Sequence, residues 1–184
     1  MIRSLKIKDA PLMLEWMHDS SVVEKLNRDF GAMTIEDCEG FIEKNMLVKA
    51  DISDEEAISD MKRRDGLHLA IADETDEYQG TVSLKDIDRA SSAAEFAITI
   101  RRSAMGHGVS AEAMREIIRL GHKVVGLGLI YWYVNKDNER AVRFYDKNGY
   151  RRCTVDELLG LGVKLEEELK TETAYLWYVD AWEE

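Results

Sequence analysis

The sequence changes its period once, and that change limits the folds open to it. From Ala93 to Ile100 the run AAEFAITI alternates. Ala94, Phe96, Ile98 and Ile100 fall on one side and Glu95, Ala97 and Thr99 on the other, which is the pattern of a half-buried strand. From Val109 the apolar residues Val109, Ala113, Ile117, Leu120 and Val124 take helical spacing, widened by Met114 and Ile118. Gly106 and Gly108 stand between the two periods. Glycines at a strand-to-helix turn let a ligand approach the backbone, and the unpaired amides at a helix start favour a phosphate. The stretch 93–125 therefore reads as strand, glycine turn and helix, with a site for a phosphate-bearing cofactor.

The flanking segments build a mixed sheet around this unit. Residues 1–8 alternate as a first strand, and a helix follows with Asp9 as its cap, Pro11 in its first turn and an apolar face through Leu12, Leu14, Trp16 and Met17 to His18. Thr34 and Asp37 form a capping-box pattern that opens a second helix carrying Ile35, Cys38, Phe41 and Ile42. Residues 50–65, ADISDEEAISDMKRRD, read as a surface extension. LHLAIAD, GTVSLKDID and the 93–100 run give an antiparallel meander with short turns. After Gly126 as a C-cap, LGLIYWYV is a strand apolar on both faces. A helix over 138–147, a strand over 150–155, an acidic segment of undefined form over 156–172 and a last strand in TAYLWYVDAW complete the chain. The expected class is α/β in the mixed α+β sense: about seven strands, mostly antiparallel, flanked by helices, in one domain spanning 1–184.

Composition narrows the function. The net charge of −11 opposes a duplex nucleic-acid partner, which needs a basic face, and is compatible with a cationic substrate. The longest apolar runs fall far short of the ~20 residues that span a bilayer, and residues 1–20 carry Lys6, Lys8, Asp9 and Glu15 without the apolar core of a signal peptide. A cytoplasmic protein without a membrane partner is expected. Cys38 and Cys153 make no CxxC pattern, and the scattered histidines His18, His68, His107 and His122 lack metal-pair spacing, so neither a disulfide framework nor a metal is expected.

Two motifs carry chemistry. GHGVSA, residues 106–111, matches the dinucleotide pattern G-x-G-x-x-A, but about a hundred residues precede it, whereas that fingerprint belongs after the first strand of its unit. Residues 138–150 contain N-x-x-A-x-x-x-Y-x-x-x-G-Y, formed by Asn138, Ala141, Tyr145, Gly149 and Tyr150. With S-A-M-G-H-G one strand earlier, this run resembles the GNAT superfamily of acyl-CoA-dependent N-acetyltransferases. The opening pattern around Trp16 is most similar to the ribosomal-protein alanine acetyltransferase branch and to amino-sugar acetyltransferases. Ser103 departs from the family, which usually has Gln or Arg three residues before the first glycine; here Arg101 and Arg102 lie just upstream.

The resemblance implies a GNAT-like fold, acetyl-CoA as co-substrate and a primary amine as acceptor: a protein N-terminus, a small amine or an amino sugar. It implies that amides of Met105, Gly106, His107, Gly108, Val109 and Ser110 hold the pyrophosphate. The backbone of Ile98 and Ile100 would pair with the pantetheine arm, Asn138 and Ala141 would line the cofactor, and Tyr145 would protonate the departing thiolate. An alkyl ammonium of pKa ~10.4 must lose a proton before it attacks a thioester. Glu95, on the strand face opposite Phe96, is the candidate general base. The acceptor would enter beside Trp16, Arg28 and Phe30, near Asn27 and Asp29. A non-catalytic CoA-binding module of the same fold is the alternative, and the protein would be a monomer or a homodimer with TAYLWYVDAW as a possible edge.

Overall fold

The structure, a computed structural model, describes residues 1–24, 26 and 29–182. Strands β1 (Ile2–Ser4), β2 (Leu67–Ala72), β3 (Tyr78–Asp88), β4 (Ala93–Ile100), β5 (Leu129–Asn135), β6 (Arg151–Cys153) and β7 (Tyr175–Ala181) form one sheet in the order β1-β2-β3-β4-β5-β7-β6. Adjacent strands run antiparallel except β4 and β5, which are parallel. Helices α1 (Ala10–Met17), α2 (Ser20–Val23), α3 (Ile35–Asn45) and α4 (Glu55–Met61) precede β2; α5 (Val109–Leu120) joins β4 to β5, α6 (Glu139–Lys147) joins β5 to β6, and α7 (Val155–Gly160) and α8 (Glu167–Thr171) lie between β6 and β7. The expected mixed, mostly antiparallel sheet flanked by helices is what the chain forms.

The two faces of the sheet are covered differently. On one, Leu69, Val82, Phe96 and Ile130 pack in a single core with Ile117 of α5, Met61 of α4 and Tyr145 of α6. On the other, one cluster joins Met13 and Trp16 of α1 to Cys38 and Ile42 of α3 and to Ala70 and Tyr78, while a second joins Leu129, Tyr131, Trp177 and Val179 to Leu158 of α7 and to Val163. Alternation along β3 and β4 puts Thr81, Ser83 and Lys85 beside Thr99, Ala97 and Glu95 on this second face, between the two clusters. Helix α5 reaches its own face closely because Gly121 follows it: a Cβ there would lie 2.8 Å from Ile130 Cδ1.

Four local expectations change. The first strand stops at Ser4 because the Asp9 carboxylate pulls the chain into a turn: it accepts from the Lys6 amide at 2.9 Å and from both terminal nitrogens of Arg3 at 2.8 and 2.9 Å. Asp9 precedes α1, but its side chain is taken by Arg3 and the Lys6 amide and caps no amide of α1. The 50–65 segment is not wholly superficial, since Ala57 and Met61 of α4 are fully buried, and Arg64 donates to the Asn45 and Met46 carbonyls at the end of α3. Residues 150–155 give only the short β6, because Thr154 accepts from the Glu157 amide and starts α7. The Thr34–Asp37 capping box and the left-handed Gly126 C-cap form as expected. Cys38 is buried, and burial raises the Cys153 thiol to about 11. Among the described residues, no helix is long and apolar enough to cross a membrane.

His122, in the π-helical turn Gly121–Val125 that extends α5, ties this layer to the last strand. Its Nδ1 lies 2.7 Å from Leu127 O and its Nε2 lies 2.8 Å from Asp180 Oδ1. Both partners are acceptors, so the pair of bonds selects the doubly protonated ring. Burial opposes that charge, but the bonds to Asp180 and Leu127 outweigh it and raise the pKa above its ordinary value. The resulting stabilisation, about 1 kcal/mol, is fully present below pH ~6.5 and fades as pH rises through the raised pKa. The melting-temperature gap between wild type and His122→Gln is therefore expected to be widest near pH 6 and to narrow at higher pH; a gap independent of pH would show that His122 carries no charge.

Candidate active site

The parallel pairing of β4 with β5 covers only Ala93↔Leu129, Ala94↔Ile130 and Glu95↔Tyr131. Beyond Glu95 each strand stays with its antiparallel partner: β4 follows β3 to Gly80↔Ile100, and β5 follows β7 to Asn135↔Tyr175. The sheet thus opens into a cleft between Phe96–Ile100 and Trp132–Asn135. The Arg101 amide donates to Gln79 O at 2.9 Å. By the two-residue alternation of a ladder, odd-numbered residues of β4 bond β3, and the amides and carbonyls of Phe96, Ile98 and Ile100 face the cleft.

The cleft ends at the loop that carries Gly106 and Gly108. Residues Arg102–Ala104 make one 3-10 turn, and Gly106 (φ 89°) and Gly108 (φ 79°) then adopt left-handed backbone that only glycine enters cheaply. A Cβ on either would meet nothing within 4 Å, so the space above both is open to a ligand. Ala111 and Glu112 donate to Gly108 O, whereas the amides of Gly106, His107, Gly108, Val109 and Ser110 have no acceptor among the described residues. With the positive end of α5 behind them, these amides suit a pyrophosphate. The His107 side chain is exposed, as expected.

The arginines before the loop do different work from the one the sequence left open. Arg101 is 7 % exposed and donates to both Glu15 oxygens at 3.0 Å, to Glu77 Oε1 at 3.2 Å and to Tyr78 O at 2.9 Å, tying the loop's base to α1 and β3. Arg102 and Ser103 are exposed. Support for Met105 comes instead from α6, where Arg140 Nη1 lies 2.8 Å from Met105 Sδ across the mouth of the cleft.

On the far wall, Asn138 caps α6 by accepting from the Ala141 amide at 3.2 Å, which leaves its NH₂ to donate elsewhere. Ala141 and Val142 pack against the main core. Tyr145 is buried beside Trp132, with Tyr178 at 5.0 Å and Phe144 at 5.3 Å between ring centroids. Its hydroxyl has no hydrogen-bond partner among the described residues, and burial, followed by Tyr178 and Tyr150, raises its pKa well above that of a free phenol. The group stays protonated at any working pH, and its match to a thiol is less close than the free-phenol value suggests.

Glu95 lies on the other face, where β4 and β5 part. Its Oε1 is 2.5 Å from Lys85 Nζ, its cross-strand neighbour, and its side chain is 13 % exposed. The same face of β5 carries Tyr131 and Tyr133; burial, and then Glu95, raises Tyr133 to about 12. Neither tyrosine nor Lys85 stood out in the sequence, although the alternation of LIYWYVN separates Tyr131 and Tyr133 from Trp132. His68, bonded to Ser83 Oγ at 2.8 Å, is lowered to about 4 by burial and by Lys85, and so is neutral. Trp16 is buried and donates its N–H to Tyr78 OH at 3.0 Å, while Phe30 packs edge-on against it at 5.3 Å. Trp16 thus supports Phe30. Asn27 and Arg28 lie outside the described residues.

The fold that carries this cleft occurs in known proteins. Spermidine N-acetyltransferase from Vibrio cholerae, solved in complex with CoA and spermine, superposes with a TM-score of 0.70 over 98 % of this chain and 94 % of that one, at 16 % identity. A GNAT-family acetyltransferase from Bacillus anthracis gives 0.67 over 98 % and 93 %, at 18 % identity. At these identities the likeness is one of fold. In sequence, spermidine N(1)-acetyltransferase of Escherichia coli (strain K12) is 34 % identical over 74 residues, an alignment that spans 40 % of this chain and 40 % of that relative. Residues 1–151 match the acetyltransferase (GNAT) domain model, and with most of the chain inside that match, the protein belongs to the GNAT acetyltransferase family.

Proposed function

We propose that the protein transfers an acetyl group from acetyl-CoA to a small cationic amine by direct attack in a ternary complex. The observation that carries the reading is the free backbone edge of Phe96–Ile100, which faces β5 and runs into the open amides of residues 106–110. A pantetheine arm is a chain of amides and pairs with such an edge as a strand would, while its pyrophosphate meets the start of α5. The residues present therefore fit acetyl-CoA, which supplies the activated thioester. Membership of the family and likeness to proteins named as spermidine N-acetyltransferases support a small amine as acceptor. The non-catalytic alternative gains no support. A cytoplasmic site of action fits the two free thiols, and a monomer or homodimer remains the proposed state.

In this reading Ile98 and Ile100 align the pantetheine, the amides from Met105 to Ser110 hold the pyrophosphate, and the NH₂ of Asn138 donates to the cofactor beside Ala141. The incoming ammonium replaces Lys85 at the Glu95 carboxylate, and Glu95, directly or through water, takes the proton that makes the amine nucleophilic. When the thiolate leaves, Tyr145 donates its phenolic proton, which its dry surroundings keep in place until then. Phe30 borders the acceptor entrance that Trp16 supports.

Three variants test these roles. Glu95→Gln is expected to lower kcat by ~10² or more near neutral pH and by much less at high pH, where the amine deprotonates unaided; an unchanged pH-rate profile would remove Glu95 from the mechanism. Tyr145→Phe keeps the ring against Trp132 and is expected to lower kcat about 100-fold with CoA affinity retained. Normal turnover in that variant would reduce Tyr145 to packing. Gly108→Val places a β-branched side chain at φ 79° and over the open amides, and calorimetry is expected to show CoA binding weakened at least ~10-fold, since left-handed backbone alone costs about 1–2 kcal/mol.

A further inference from the structure

An amine of the chain itself already occupies the position that the proposed reaction needs. On the second face of the sheet, Lys85 of β3, Glu95 of β4 and Tyr131 of β5 form one row of paired residues across three strands, and Glu95↔Tyr131 is the last pair before β4 and β5 part. The Lys85 Nζ lies 2.5 Å from Glu95 Oε1, on side chains 37 % and 13 % exposed. The lysine stem has thus crossed from its own strand to the carboxylate of the next. One further strand position, about 4.8 Å on, is the cleft where the acyl group would sit beside Phe96 and Trp132.

The backbone fixes the lysine in that place. From Lys85↔Glu95 to Asp88↔Ala93 the register advances three residues on β3 and two on β4, so a bulge begins directly after Lys85, with Asp86 inside it at φ 50°. Such a bulge bends its strand and re-aims the side chains beside it. His68 of β2, kept neutral by burial and then by Lys85, sets no second cation near the carboxylate. With the lysine over a third exposed, the ion pair adds no more than about 1 kcal/mol to stability. What distinguishes the pair is therefore where it holds an amine, and its strength is ordinary.

We propose, resting on the roles given above to Glu95 and Tyr145, that Lys85 is itself acetylated by its own chain when acetyl-CoA binds with no acceptor present. Lys85 gives one proton to Glu95, and its neutral Nζ bonds to the thioester carbonyl carbon as the carbon–sulfur bond breaks. Tyr145 protonates the sulfur and recovers a proton through water from the new amide nitrogen, while Glu95 releases its own to solvent. An amine held this close reacts without the entropic cost of capture from solution, and an added acceptor competes by displacing it. The product is a neutral acetamide, which ends the ion pair and leaves the Glu95 carboxylate free for an incoming ammonium.

The test incubates the purified protein with acetyl-CoA alone and follows each acetylated lysine by peptide mass spectrometry. Lys164, whose side chain is 79 % exposed, reports the uncatalysed background, and exposure alone would place it ahead of Lys85. Lys85 is expected to be acetylated at least ~10-fold faster than Lys164, with a rate constant independent of protein concentration, and Glu95→Gln is expected to slow Lys85 alone by ~10². Acetylation of Lys85 no faster than that of Lys164, a rate constant that rises with protein concentration, or an unchanged rate in Glu95→Gln would overturn the proposal. A parallel reaction with an added n-alkylamine tells the two readings apart. If the added amine is acetylated there while Lys85 stays unmodified in its absence, the transferase stands and the internal acceptor falls. If Lys85 is acetylated and the added amine is not, the internal acceptor stands and the small-amine acceptor falls; if neither is acetylated, both fall.

Discussion

The early parting of β4 from β5 is the constraint on which the rest depends. A sheet interior normally satisfies every backbone amide and carbonyl, and an unpaired edge in its middle must be met by water or by another strand-like chain. Here the edge is held open because β4 and β5 are each bound on their other side along their full length, to β3 and to β7. The cleft is therefore preformed, and its recognition elements are main-chain groups. Since main-chain groups come with any side chain, a fold of this kind can keep its cofactor geometry while sequence drifts, which accounts for near-complete superposition on proteins only 16–18 % identical.

Two buried guanidinium groups hold the surroundings of that cleft. Arg3 ties Asp9 and Asp76 at the start of the chain, and Arg101 ties Glu15 and Glu77 where β4 ends. Arg3 and Asp9 are both buried, so removing either leaves the other charge buried, at ~3–5 kcal/mol, whereas Glu15 and Glu77 are about half exposed and their pairs with Arg101 are worth less. Each therefore acts chiefly as a positional lock. Arg101 is the more consequential of the two, since the glycine loop before α5 follows it directly, and the lock fixes where that loop begins relative to α1. Part of the acidic excess has the same explanation: several carboxylates are committed to these locks, and fewer remain for a substrate.

Most of the fold was legible because its signals are local. The alternation of AAEFAITI, the glycines after it, the stripe of α5 and the capping boxes each act within a few residues, and each formed. The first strand stopped early because Asp9 answers to Arg3, six residues away but across a turn, and no propensity records that. Residues 50–65 read as surface because Ala57 and Met61 are too sparse a stripe to announce burial, although the core beneath β2 and β3 needs both. In the candidate site, the loop and α6 motifs were readable, but the pairing of Lys85 with Glu95 and the placement of Tyr131 opposite Glu95 were not. Those contacts are set by strand register and by the order in which β3, β4 and β5 lie side by side.

The two cysteines bear on how the proposed reaction would be followed. Acetyl transfer from acetyl-CoA would release a free thiol, and the simplest way to follow it is a disulfide dye that reacts with thiolate. Cys38 is enclosed under α1 and α3, and burial raises Cys153 to about 11, so both offer less thiolate to the dye than a freely dissolved thiol does. The background of the assay is thereby lowered by the fold, and the dye counts chiefly the product released.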